Sequence, residues 1–248
     1  MNGYHRPADA NFPPVVKNII IITSLMWLIT LVVQQSFGVD LTRWLALYYP
    51  GSKYFHPYQF VTHLFMHAGL AHLFFNMFAF WMFGRVLENV WGGKRFFIFY
   101  FVTGIGAAGF YMLVHWLEYR SLLTHMSAQE TQLVFEKGAD VLNNFQNFTN
   151  PYMAKLNLLL NTPVVGASGA VFGVLLGFGM LFPNTRLMLL FPPIPIKAKY
   201  FVIGYGALEL YLALAQPGSN IAHVAHLGGM LFGYIMVKYW NKKRTYFY

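Results

Sequence analysis

The chain has 248 residues, of which 57% are hydrophobic and only 10% are charged. Soluble domains carry about 25% charged residues, so a water-soluble fold of this length could not cover its apolar side chains. The net charge is +9, but the basic residues mostly flank apolar runs, which favours membrane topology over nucleic-acid binding as their explanation. The sequence contains no cysteine, which excludes disulfides, thiol catalysis and thiolate metal sites.

Six apolar runs approach the length of about 20 residues that a helix needs to cross a hydrocarbon core about 30 Å thick. They cover residues 15–33, 70–91, 96–116, 164–182, 200–216 and 221–240. The first run lacks the small-residue cleavage site of a signal peptide, so it is predicted to be a retained helix. The prediction is an all-α, polytopic membrane protein that forms one domain over residues 1–248 and is in contact with the lipid bilayer.

An even number of spans places both termini on the same side of the membrane. Basic residues such as Arg85, Lys94 and Lys238 concentrate on that side, and the positive-inside rule therefore predicts cytoplasmic termini. A compact core without an organelle-targeting sequence favours a bacterial inner (plasma) membrane.

Three connections between the runs have distinct compositions. Residues 36–69 are semi-apolar and rich in aromatic residues, which suit the membrane interface. Residues 117–163 mix charged, amide and aromatic residues and are predicted to form a partly helical, extended outer loop insertion. Residues 183–195 are proline-rich, which favours a stiff extended link over a helix.

Ser168 lies in a Gly166-Ala167-Ser168-Gly169 segment that opens the fourth run. The first backbone N–H groups of a helix have no intrahelical acceptor, and together with the positive helix end they can stabilise the oxyanion formed in acyl transfer. Serine and glycine are also common at membrane helix interfaces, so helix packing explains this segment equally well when it is considered alone.

The sixth run carries two histidines, and an ionisable side chain within a span is by default a functional-site hypothesis. Histidine is the usual base that activates a serine nucleophile. His226 shares a helix face with Gly229 and Gly233, and a similar face of small residues follows Ser168, at Gly169, Gly173 and Gly177. Packing of the two faces would bring Ser168 and His226 together. His223 is the alternative base, one turn earlier.

His72 and Asn76 lie four residues apart on one face of the second run, where they could direct two donors at a common point and complete an oxyanion hole. His63 and His67 have the spacing of a metal-binding pair, but no HExxH motif or nearby carboxylate accompanies them. Hydrogen bonding of these two histidines to loop backbone is the preferred interpretation, and no metal is expected. Glu209, within the fifth run, is left out of the catalytic set because its position relative to His226 is not readable from the sequence.

These motifs in order, H-x3-N in the second run, G-x-S-G opening the fourth and A-H-x2-G-x3-G in the sixth, resemble the rhomboid family of intramembrane serine proteases. The resemblance covers essentially the whole chain. It implies a six-helix bundle with a Ser-His dyad, Ser168 and His226, in a water-filled cavity open to the outer side. It further implies that Phe172 packs on the histidine ring and that residues 36–69 form a membrane-embedded loop. The family's Trp-Arg pair before the second span aligns with Tyr58-Gln59, which is a departure from the pattern.

The function expected from the residues and the resemblance is that of a serine endopeptidase that cleaves transmembrane segments of other membrane proteins and requires no cofactor. His72 and Asn76 would donate to the oxyanion, and Gly166, Gly169, Phe172, Gly229 and Gly233 would support the active site. The first alternative is a non-catalytic rhomboid-like scaffold that binds transmembrane helices. A transporter is less favoured, because no internal repeat is visible.

Overall fold

The computed structural model describes residues 12–188, 193–215 and 221–242, which are mostly helical. In chain order the elements are α1 (Pro14–Phe37), α2 (Thr42–Leu45), α3 (Gln59–Thr62), a 3₁₀ turn (His63–Phe65), α4 (Leu70–Trp91), α5 (Gly93–Leu123), α6 (Ala128–Asn143), α7 (Pro151–Asn161), α8 (Ser168–Leu181), β1 (Arg186–Met188), β2 (Pro195–Lys197), α9 (Ala198–Ala215) and α10 (Ile221–Lys242). A helix therefore occupies each of the six apolar runs.

Four of these helices, α1, α4, α5 and α9, are long and apolar enough to cross a membrane, and α8 is a shorter apolar helix. Large apolar side chains on the outer faces of α1 and α9 are exposed, among them Ile21, Leu28, Ile203 and Tyr211. In water such a surface would be an interaction or aggregation site, whereas in a bilayer it faces lipid. The chain is an integral, multi-pass membrane protein, and the count of six spans stays a prediction.

Helix α8 lies at the centre of the bundle, and it packs against α10 through glycines. A Cβ atom added at Gly229 would overlap the carbonyl oxygen of Gly169, and one added at Gly233 would lie 3.1 Å from the carbonyl oxygen of Gly173. The two backbones are therefore in direct contact on two successive helical turns. The third glycine of the α8 face, Gly177, instead lies against Phe99 and neighbouring side chains outside α10.

The start of α1 and the end of α10 lie at the same end of the bundle. The carboxylate of Glu88, near the end of α4, accepts hydrogen bonds from the backbone N–H groups of Val15 at 2.9 Å and Val16 at 2.8 Å. These are orphan donors of the first turn of α1. Trp240, near the end of α10, makes an edge contact with the ring of Trp91, also at the end of α4.

At the opposite end, α6 and α7 pack on the segment 36–69. Lys53 forms an ion pair of 3.0 Å with Asp140, and Arg43 donates to the side-chain oxygen of Asn143. Buried side chains of this region form a second apolar cluster, which includes Leu47, Val134 and Leu156. Helix α5 continues to Leu123, well beyond the predicted end of its apolar run at residue 116, so part of the segment 117–163 extends a membrane helix.

One boundary near the fourth run differs from the sequence prediction. Helix α8 begins at Ser168 and not at residue 164, because the backbone of Val164 pairs with Leu47 in an isolated antiparallel bridge. The described part of the proline-rich connection includes two extended segments, since β1 and β2 pair antiparallel with Met188 opposite Pro195. The residues 189–192 between them lie outside the described part of the chain.

Candidate active site

Ser168 is the first residue of α8, and the segment before it holds that helix start in place. Val164 exchanges both backbone hydrogen bonds with Leu47, at 2.8 and 2.9 Å, and Gly166 donates its N–H to the carbonyl of His63 at 3.0 Å. Gly166 has φ +119°, a backbone conformation that favours glycine. With 14 residues, α8 is about 21 Å long. It is therefore shorter than the bilayer core of about 30 Å, and its start can lie below the outer surface.

His226 reaches the same place from α10. A Cβ atom at Gly169 would lie 3.4 Å from the carbonyl oxygen of Ala225, so the residue after Ser168 contacts the residue before His226. The imidazole of His226 stacks on the ring of Phe172, one turn along α8, with a centroid separation of 4.0 Å and an interplanar angle of 9°. This stacking fixes the plane of the histidine ring.

His72 approaches from α4. Its Cε1 and Nε2 atoms would lie 2.8 and 3.0 Å from a Cβ atom at Gly166, so a side chain at that position would meet the imidazole. Asn76, one turn later, donates one amide hydrogen to the carbonyl of His72 at 2.9 Å. Because a primary amide has two donor hydrogens, Asn76 keeps one for another acceptor. His72 therefore lies next to the segment that leads into Ser168, and Asn76 lines the same cavity one turn away.

The side chains of Ser168, His226, His72 and Asn76 line one cavity of about 650 Å³. Its walls are otherwise largely apolar and come from several helices: Phe75, Ala79, Met82 and Phe83 of α4, Ala107, Ala108 and Tyr111 of α5, and Phe201 and Tyr205 of α9. A mostly apolar cavity with a few convergent polar groups has the usual character of a ligand or active site. His223, the alternative base, is not among the lining residues.

Glu209, which the sequence analysis left out of the catalytic set, lies in this region. Its carboxylate is buried, and one oxygen, Oε2, lies 2.6 Å from Nδ1 of His223 and 3.0 Å from Nδ1 of His226. The contact with His223 is a hydrogen bond. The contact with His226 has the distance of one but not its alignment, because the N–H direction deviates from the line to the oxygen. A carboxylate within an apolar span indicates a functional residue. The sequence does not show the register of α9 against α10, so it could not place Glu209 beside His226.

Two clusters that contain histidines are candidates for metal binding. The ligand atoms of Glu209, His223 and His226 lie within 4.8 Å of one another, close enough to hold a cation. Both histidine nitrogens, however, lie within 3.0 Å of the same carboxylate oxygen, and the contact of His223 is a hydrogen bond, so pairing of the carboxylate with the two histidines is the simpler description. In the other cluster, Nδ1 of His63 donates to the carbonyl of Gln59 at 2.8 Å.

His63 and His67 lie in the loop before α4 and are both buried. Burial lowers the pKa of His63 to about 4. Burial, and then the neighbouring His72, lower the pKa of His67 to about 4. Backbone hydrogen bonding was the interpretation for both residues. It holds for His63, whereas the ring of His67 packs against that of His72, with centroids 5.0 Å apart. Both histidines are neutral near pH 7.

Gln59 anchors the loop where the family pattern has arginine. Its side chain is fully buried. Its oxygen accepts from the backbone N–H groups of Tyr48 at 3.3 Å and His56 at 3.1 Å, and its nitrogen donates to the carbonyls of Trp44 at 3.1 Å and Tyr54 at 2.8 Å. One neutral side chain therefore joins four backbone positions within the loop.

The sequence is similar to a known protein family and to several of its members. The family model of the rhomboid domain matches residues 54–242. Rhomboid protein 1, mitochondrial, of Saccharomyces cerevisiae is 28% identical over 178 residues, which cover 72% of this chain and 40% of that protein. Rhomboid-like protein 11, chloroplastic, of Arabidopsis thaliana is 26% identical over 193 residues, covering 73% and 51%. The presenilin-associated rhomboid-like protein, mitochondrial, of Homo sapiens is 27% identical over 180 residues, covering 71% and 36%.

The aligned part of this chain thus spans between 36% and 51% of the length of these relatives. Their names place them in mitochondria or chloroplasts, so the expectation of a bacterial inner membrane is not supported by them. The match to the rhomboid model covers more than half of the chain and includes every helix that lines the cavity. The chain belongs to the rhomboid family.

Proposed function

We propose that this protein is an intramembrane serine endopeptidase that cleaves transmembrane segments of other membrane proteins. The observation that supports this most directly is the convergence of Ser168, His226 and His72, from three different helices, on one cavity within the apolar bundle. A hydroxyl, an imidazole and additional donors around a common space are the parts that acyl transfer requires.

In the proposed reaction, Nε2 of His226 takes the Ser168 proton as the hydroxyl oxygen attacks the substrate carbonyl carbon. The tetrahedral oxyanion is stabilised by the backbone N–H of Ser168 and by the side chains of His72 and Asn76. His226 then gives the proton to the leaving amine as the peptide bond breaks, and water hydrolyses the acyl-enzyme by the reverse sequence of proton transfers. These steps need no cofactor.

The proposed substrate is a membrane helix, because the cavity wall is largely apolar and has one side made by α4 and α9. Phe75 and Met82 of α4 and Phe201 and Tyr205 of α9 line this side. The outer face of α9 carries exposed apolar side chains that lipid would cover. An apolar segment could therefore pass from lipid to the cavity between these two helices, and it would have to unwind there to expose a carbonyl to Ser168.

The experiment compares the wild-type protein with Ser168→Ala and His226→Ala on a reporter membrane protein in proteoliposomes. Each variant is expected to insert normally and to lose cleavage by at least about 10³-fold, since removal of a nucleophile or its base removes most of the chemical acceleration. Ser121→Ala is the matched control, because this exposed serine lies at the outer end of α5, and it should cleave at the wild-type rate.

A non-catalytic scaffold that binds membrane helices is the alternative, and it would use the same α4–α9 side of the cavity. A fluorophosphonate probe separates the two functions. Labelling of the wild-type protein that disappears in Ser168→Ala and falls sharply in His226→Ala supports the protease. Helix binding without labelling or cleavage would instead identify a scaffold.

A further inference from the structure

Glu209 is a carboxylate within an apolar helix, and the proposed mechanism does not use it. Its side chain is 7% exposed, and α9 otherwise presents mainly apolar residues. An ionised carboxylate in such surroundings has a large desolvation cost unless it is paired and hydrogen-bonded. The contacts of Glu209 therefore indicate what the residue does.

Those contacts are with both histidines of α10. Nδ1 of His223 lies 2.6 Å and Nδ1 of His226 lies 3.0 Å from the same oxygen, Oε2. In a neutral imidazole one nitrogen carries the hydrogen and the other is an acceptor. A carboxylate beside Nδ1 favours the tautomer with hydrogen on Nδ1. The lone pair is then on Nε2, at the opposite edge of the ring.

Stacking on Phe172 alone does not determine which ring edge of His226 faces Ser168. Stacking at 4.0 Å and 9° defines the plane of the imidazole, but rotation of the ring within that plane changes little in the stacking. A hydrogen-bond acceptor at Nδ1 removes this freedom. The α8 ring and the α9 carboxylate therefore supply two different constraints on the same histidine.

We propose that Glu209 is a positioning residue that accepts the Nδ1–H of His226, directs its Nε2 lone pair to Ser168 and stabilises the imidazolium formed during the reaction. This inference rests on the proposed protease function and extends the dyad to a Ser168-His226-Glu209 arrangement. A small rotation of the His226 ring would align the 3.0 Å contact, and substrate binding next to that ring is the step at which it would occur.

His223 has a different part in this arrangement. It shares Oε2 with His226 but does not line the cavity. Its hydrogen bond holds the carboxylate against α10, so that Glu209 follows the helix that carries His226. Replacement of His223 should leave Glu209 with His226 as its partner, and should therefore affect cleavage far less than replacement of Glu209.

The test compares Glu209→Gln with the wild-type protein in proteoliposome cleavage assays over a pH range. Glutamine keeps the size of the side chain but removes the charge, and its amide can present a donor to Nδ1. We expect kcat to fall between about 10-fold and about 10⁴-fold, the larger value being the effect of amide-for-carboxylate replacement in a serine-protease triad. The KM should stay within about threefold, because Glu209 does not contact the substrate.

The pH profile gives a second readout, which a purely structural role would not change. The titratable groups around His226 are Glu209 on α9, His72 on α4 and His223 on its own helix, and Tyr205 of α9 and Tyr111 of α5 line the same cavity. Of these, only the charge of Glu209 is changed in the variant. Because the carboxylate would stabilise the imidazolium formed during the reaction, its removal should change the shape of the kcat profile, whereas a purely structural loss would only lower kcat by the same factor at every pH.

Glu88→Gln is the matched control, since Glu88 is an equally buried carboxylate at the other end of the bundle. It should lower thermal stability by weakening the acceptors for the start of α1 and leave kcat and the pH profile unchanged. Glu209→Asp, which keeps the charge, should recover part of the lost rate. His223→Asn should remain within about fivefold of wild type.

A readout independent of catalysis is the ¹⁵N spectrum of the histidines in the Ser168→Ala background. The His226 signals should show the Nδ1–H tautomer when Glu209 is present and a mixture of tautomers in the Glu209→Gln variant. Wild-type kcat, pH profile and tautomer in Glu209→Gln would overturn the inference while the protease function stands. Cleavage that persists in Ser168→Ala would instead contradict the proposed function itself.

Discussion

The two sides of the candidate site are built in different ways. On one side, α8 and α10 touch backbone to backbone, with Gly229 against the carbonyl of Gly169. On the other side, the loop 36–69 is held by side-chain hydrogen bonds of Gln59 and by the ion pair between Lys53 and Asp140. A glycine contact has no adjustable atoms, whereas polar side chains can exchange partners or water. Changes on the first side should therefore act on the chemical step, and changes on the second side on stability.

Among changes to the packing of these two sides, the largest effect is expected from Gly229→Ala. A Cβ atom at this position overlaps the carbonyl oxygen of Gly169, and that oxygen belongs to backbone that cannot move alone. The helices must separate, which moves His226 away from Ser168. A misplacement of about 1 Å costs about 10²-fold in rate, so we expect kcat to fall by at least that factor in cleavage assays.

Gly204→Ala is the control for this prediction, because a Cβ atom at Gly204 in α9 meets open space. Alanine there should be neutral, or slightly stabilising in view of its higher helix propensity. Equal activity of the two variants would show that the α8–α10 contact does not set the geometry of the reaction.

Gln59→Leu should affect stability more than rate. Leucine cannot satisfy the two backbone donors and two backbone acceptors that Gln59 now bonds, and each buried unsatisfied group costs about 1–3 kcal/mol. Water would reach part of the loop and bond some of these groups, which reduces the cost. We therefore expect the free energy of unfolding to fall by about 2–4 kcal/mol, measured as lowered thermal stability in detergent. Gln132→Leu, at an exposed position on α6, should change stability by less than about 0.5 kcal/mol.

Gln59→Arg would sharpen the comparison, because arginine is the residue that the family pattern has at this position. Arginine provides donors only, so it cannot accept from the backbone N–H groups of Tyr48 and His56 without rearrangement of the loop. We expect Gln59→Arg to be less stable than wild type. Higher stability would indicate that the loop retains the geometry that suits arginine.

Much of the fold could be predicted from the sequence, because long apolar runs are a local signal. The second run and α4 have the same bounds, 70–91. The start of α8 could not be predicted, since it depends on the pairing of Val164 with Leu47, which is distant in the chain. The proximity of Glu209 and His226 could not be predicted either, because it depends on the register of two helices. Glycine spacing, by contrast, did indicate the contact face of α8 and α10, because a four-residue repeat of small residues is visible in one helix.

The last effect, on stability and not on rate, concerns pH and the second side of the site. His63 and His67 have pKa values of about 4 in the folded protein, below the ordinary value of 6.5. Between pH 6.5 and 4 the unfolded chain binds more protons at these residues than the folded protein does. The free energy of unfolding is therefore not reduced by these two histidines above pH 6.5. On acidification toward pH 4 it decreases, by up to about 1.4 kcal/mol per pH unit for each histidine.

His67→Leu separates this contribution from other acid effects. Leucine is close to histidine in size and has no group that binds a proton. It can replace the main contact of the His67 ring, which is its packing against His72. The apparent melting temperature of His67→Leu should therefore decrease less than that of the wild-type protein between about pH 6.5 and about pH 4.5, while His125→Leu, at an exposed position, should follow the wild-type curve. Parallel curves for all three proteins would mean that His67 accepts a proton in the folded state as readily as in the unfolded chain, and that its burial does not keep the imidazole neutral.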